Sequence, residues 1–161
     1  MGSKVNLLNA IYLRLNTAIG AGKTLASVKR VQVGSREEAR RNNDLPIINI
    51  QLDSGEEINE GQPNCKRDEM TIHVSLVVAK LDSTTENHLY NTTAGGSGAL
   101  YLFEDLLDAI DNTTSDALDL TFGDTAGQIP VYSYDVEYHN GLIEFVIELK
   151  IQTADFTSGS R

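Results

Sequence analysis

Residues 131–153, VYSYDVEYHNGLIEFVIELKIQT, spell two strands and the turn between them. Tyr132, Tyr134, Val136 and Tyr138 alternate with smaller or polar residues, and the run from Leu142 to Thr153 alternates in the same way. Asn140 and Gly141 lie between them, and both accept the positive φ that a two-residue hairpin turn demands. The turn sets the register: His139 faces Leu142, Tyr138 faces Ile143, Val136 faces Phe145, Tyr134 faces Ile147 and Tyr132 faces Leu149. Those pairs make one large apolar face, so the tyrosines read as core. The opposite face sets Glu137 against Glu144, a like-charge pair that costs an isolated hairpin roughly 0.2–1 kcal/mol. A positive group is therefore expected beside it, from a neighbouring strand or from another subunit.

The rest of the chain supplies what this hairpin packs on. Val5, Leu8, Ile11, Tyr12, Leu15 and Ile19 recur at helical spacing, predicting a helix from Ser3 to Ala18 with Ser3 as its cap. Leu100, Phe103, Leu107 and Ile110 predict a second helix from Ala99 to Asp111, with Glu104, Asp105, Asp108 and Asp111 on its outer face. Further strands are expected at Val28–Gly34, Pro46–Leu52, Met70–Leu81 and Leu118–Phe122, where apolar residues alternate. The Arg-rich stretch from Ser35 to Asp44 reads as a polar turn. Residues 53–68 and 82–98 read as long loops, and 155–161 as a short flexible tail. The order α, three β, α, three β contains no short parallel βαβ crossover. It predicts one α+β domain over residues 1–161, a mostly antiparallel six-stranded sheet with two helices packed on one face.

Composition narrows the function. With 161 residues, 40% hydrophobic and 22% charged, the chain is long enough for a real core. A single cysteine, Cys65, leaves no internal disulfide and no thiolate metal cage. The first residues lack the pattern of a signal peptide, and no apolar run reaches membrane-spanning length. The net charge of −10 is unevenly placed: residues 1–41 carry +6 and the remainder −16. Such a molecule repels nucleic-acid phosphate overall. Its basic segment either meets the acidic part of a neighbouring copy or is simply solvated.

No sequence motif points to catalysis or to a cofactor. Gly20-Ala21-Gly22-Lys23-Thr24 looks like part of a phosphate-binding loop, but Thr17 stands where the motif needs glycine, and helix and strand come in the wrong order. His73, His88 and His139 show no metal-ligand spacing, and no acid is expected to be buried enough for its pKa to rise into the catalytic range. Asp82–Glu86 lacks the ligand alternation of a calcium loop. The candidate functional residues are therefore those of a subunit interface: Arg36, Arg40 and Arg41 on the basic side, Glu137 and Glu144 on the acidic side.

The opening helix, the strands Pro46–Leu52 and Met70–Leu81, the helix Ala99–Asn112 and the closing hairpin together resemble the tail terminator (tail completion) proteins of long-tailed bacteriophages. The resemblance implies a structural, non-enzymatic virion protein, assembled in the host cytoplasm at the head-proximal end of the tail. Its copies would form a homo-oligomer, a hexameric ring that stops polymerisation of the tail tube protein and offers a surface to the head–tail connector or neck protein. DNA would pass through without specific binding, no cofactor or metal would be needed, and no membrane would be involved. Another neck or head-completion component is an alternative, and a small ligand-binding or enzymatic α+β domain is a further one.

Overall fold

Helices and strands follow one another as α1 (Ser3–Thr17), β1 (Arg30–Val33), α2 (Arg36–Arg40), β2 (Ile47–Asn59), β3 (Cys65–Ala79), α3 (Ala99–Ile110), β4 (Val131–His139) and β5 (Leu142–Phe156). The computed structural model describes residues 3–59, 65–79, 98–110, 131–139 and 141–156. The strands form one sheet in the order β1-β2-β3-β5-β4, antiparallel at every junction except β1–β2, which is parallel. The fold is α+β, with five strands and three helices among the described residues. The strand expected at Leu118–Phe122 lies outside them, as does the linker expected over 82–98 except for Gly98.

Alternation along the strands gives the sheet two different faces. On one face, Ile48, Ile50, Ile72, Val74, Leu76, Ile143, Phe145, Ile147 and Leu149 are buried beneath α1 and α3. Phe103 of α3 stacks on Phe145, with ring centroids 4.5 Å apart at 12°, and meets Tyr134 edge-on at 5.0 Å. Arg14 Nε of α1 donates to the Ala109 carbonyl of α3 at 2.8 Å, tying the two helices together. The other face carries a smaller cluster, in which Ala39 of α2 packs on Ile47 and Val77.

The hairpin register expected from the Asn-Gly turn is present pair for pair, including Glu137 opposite Glu144, and Gly141 has a φ of 78°. Other expectations need correcting. Ser35–Asp44 is not simply a turn: Ser35 caps α2, its Oγ accepting from the Glu38 N–H at 3.1 Å. With α2 as the connection, β1 and β2 form the short parallel βαβ unit that the element order had excluded. Residues 53–59 and 65–68 are strand and not loop, because β2 and β3 continue as a paired ribbon out to Asn59 opposite Lys66; residues 60–64 of the expected loop lie outside the described ones. Asp53, Ser54 and Glu56 are exposed, so no buried face imposes an apolar alternation there. Asp155 and Phe156 belong to β5, paired with Lys66 and Cys65, and are not tail.

Two apolar faces also sit differently from the expectation. In α1 the buried stripe is Leu7, Ile11 and Leu15, a four-residue step that turns Val5 outward to 55% exposure. Tyr134 and Tyr138 share the core side of β4 but are 54% and 58% exposed, because β4 is the last strand of the sheet among the described residues and its outer flank is uncovered.

Candidate functional site

The most concentrated chemistry lies on the face of the sheet opposite α1 and α3. Register places Glu144 between Val77 and Glu137 in one cross-strand row, and alternation aims it away from Ile143 and Phe145. Glu144 is fully buried; the sequence reading expected no acid in an apolar run where burial would lift its pKa into the catalytic range, and this carboxyl is held low, not raised. A carboxylate taken out of water is costly unless paired and hydrogen-bonded, and α2 supplies the partners. Arg36 clamps Glu144 through Nε to Oε2 at 2.9 Å and Nη2 to Oε1 at 3.1 Å, and its Nη2 also donates to Glu137 Oε2 at 2.7 Å. Arg40 Nη1 donates to Glu144 Oε1 at 2.8 Å. Arg36 and Arg40 are four apart, so one turn of α2 points both at the same carboxylate.

His139 completes the cluster, its Nε2 lying 3.0 Å from Glu144 Oε1 and 3.6 Å from Glu137 Oε1. From sequence this histidine showed no metal-ligand spacing, and its place in an ionic cluster was not foreseen. The available signal was that His139 stands two residues beyond Glu137, hence on the same side of β4. His73 also has acids beside it, Asp53 at 3.9 Å and Glu148 at 3.7 Å.

Electrostatics hold Glu144 and Arg36 charged. Burial pushes the Glu144 carboxyl up, but hydrogen bonds from Arg36, Arg40 and His139 outweigh it and hold the group below its ordinary value. The hydrogen bond to Glu144 keeps Arg36 above its ordinary value against the opposing effect of burial, and Glu137 adds to it. Glu137, His139 and Glu144 place one donor atom each within 4.8 Å of one another, a spacing compatible with a metal ion. Two guanidinium groups already neutralise the two carboxylates, so a dication would have to displace them or leave excess positive charge. The arrangement is suited to fastening α2 to the sheet.

Of the five residues singled out from sequence, four meet here and Arg41 does not. The positive group expected beside Glu137 and Glu144 comes from Arg36 and Arg40 of the same chain. Arg41 is exposed and pairs with Glu37 one turn back. Further along the same face, Gln32 Nε2 donates to Asn49 Oδ1 at 3.0 Å, and Asn49 Nδ2 donates to the Gly34 carbonyl at 3.0 Å. Next to them Ser75 Oγ is buried without a hydrogen-bond partner among the described residues.

At the β1 edge, Val5, Leu8, Asn9 and Tyr12 of α1 and Arg30, Val31, Gln32 and Val33 of β1 line an open groove of about 510 Å³. Among the described residues no helix is long and apolar enough to cross a membrane. No protein-family model matches the chain, and no curated protein matches it significantly.

Proposed function

We propose that the chain is a structural virion subunit of the tail-terminator kind, a self-assembling ring component that caps the head-proximal end of a tail tube and presents a surface to the neck. The observation that carries this reading is a sheet that ends, among the described residues, in an uncovered strand on each side, with opposite charge at the two ends. Lys29 and Arg30 are exposed at the β1 end, Asp135 at the β4 end. A subunit with unlike ends associates head to tail, and head-to-tail contacts close into rings when the rotation permits.

The mostly antiparallel sheet with α1 and α3 on one face agrees with the architecture read from the element order, and such a sheet can present its two edge strands to neighbouring copies. A net charge of −10 suits a channel through which DNA slides, since acids repel phosphate where a basic wall would hold it. Arg36 and Arg40 are engaged inside the subunit, whereas Lys29 and Arg30 at the β1 end are exposed and offer basic charge outward.

The test is tube growth. Tail tube protein polymerising in the presence of the purified chain is expected to give tubes of arrested length with the chain at one end. Unchanged tube growth, with no chain at either end, would reject the reading.

A further inference from the structure

The two ends of the sheet match each other face by face. On the helix side, the cross-strand row that begins at Val33 runs through Ile50, Val74 and Ile147 and ends at Tyr134. On the opposite side, the row from Arg30 runs through Ile47, Val77 and Glu144 and ends at Glu137. The row from Gln32 runs through Asn49, Ser75 and Val146 to Asp135. Each end thus carries apolar groups on the helix side and polar or charged groups on the other, and the charges are opposite in sign.

We infer that β4 of one copy docks against β1 and the α1–β1 groove of the next, Tyr134 and Tyr138 covering Val5, Leu8, Tyr12 and Val33 while Asp135 meets Arg30. This names the contact by which the self-assembly proposed above occurs, and it rests on that reading. Continuing a sheet from one copy to the next without inverting it keeps the helix side aligned with the helix side, so both matches are satisfied at once. The groove and the half-exposed tyrosines are the apolar surface such a contact removes from water. Pairing like ends gives the opposite result: β4 against β4 sets Asp135 against its own copy, and β1 against β1 does the same with Lys29 and Arg30. Charge therefore selects the head-to-tail arrangement over a two-fold dimer.

The experiment is a charge swap read by sedimentation velocity, with thermal melting as the folding control. Arg30 and Asp135 are exposed, so their variants are expected to melt like the parent chain. Arg30→Asp alone and Asp135→Arg alone should each weaken self-association at least roughly tenfold in a salt-sensitive way. The double variant should restore it, and Tyr138→Ser should weaken it without the salt dependence. If the parent chain assembles and all variants assemble equally, the contact is wrong while the self-assembly reading stands. If a variant changes the melting temperature but not the assembled mass, that edge belongs to the chain's own fold and the contact is again overturned. A parent chain that stays monomeric at every concentration sinks both.

Discussion

Arg36, the first residue of a five-residue helix, holds Glu144 from 108 positions away, with Nε to Oε2 at 2.9 Å and Nη2 to Oε1 at 3.1 Å. A forked pair of this kind is more directional than a point contact. Because Glu144 has no exposed surface, removing its charge strands two guanidinium groups over a buried site. Glu144→Gln is expected to lower unfolding stability by about 3 kcal/mol, the range found when one partner of a buried pair is deleted. Arg36→Met should cost a comparable amount. Urea denaturation of both variants checks this, and losses below about 1 kcal/mol would show that the cluster fastens nothing.

The same pair predicts an acid limb. Glu144 is held below its ordinary value of 4.5 in the fold, so the unfolded chain binds the proton more readily. Its stabilisation is fully present above that ordinary value and is lost as pH falls through the lower, folded value. Arg36, held above its ordinary value, stays charged throughout this range and adds no slope. Stability measured against pH should therefore fall more steeply below about pH 4.5 in the parent chain than in Glu144→Gln. Parallel acid limbs would contradict the assignment.

Ser75 predicts a change in the other direction. Its hydroxyl is buried and lacks a partner among the described residues, and an unsatisfied buried polar group costs about 1–3 kcal/mol. Ser75→Ala removes the group while leaving almost the same volume. The melting temperature is expected to rise, and a fall would mean that the hydroxyl has a partner after all.

Phe103 sits where α3, β4 and β5 meet, stacked on Phe145 and edge-on to Tyr134. Phe103→Ala should cost about 3–5 kcal/mol by leaving a cavity. It should also change the near-ultraviolet circular dichroism of the tyrosines, because Tyr134 loses its ring neighbour. A loss of stability with an unchanged tyrosine signal would place Tyr134 away from Phe103.

What could be read from sequence followed the range of each interaction. The hairpin register was fully legible because Asn140 and Gly141 fix it locally, and the like-charge pair of Glu137 and Glu144 correctly called for a positive neighbour. Its source was hidden: nothing local in Arg36 or Arg40 says that they fold back across about a hundred residues onto their own sheet. A helix of five residues is too short to show a period, so α2 looked like a turn and the parallel β1–β2 unit went with it. The ribbon of β2 and β3 beyond Asp53 is held by backbone pairing, which side-chain alternation does not report. Tyr134 and Tyr138 do follow the apolar alternation, yet alternation cannot say where the covering layer ends.

The proposed function requires the chain to work as one member of a closed set of identical copies at the end of a tube. Native mass spectrometry of the purified chain, alone and after incubation with tail tubes, tests this most directly. A discrete multiple of the single-chain mass, six copies on the present reading, bound at tube ends is the expected result. One copy per particle under both conditions, with no tube-bound material, would contradict it.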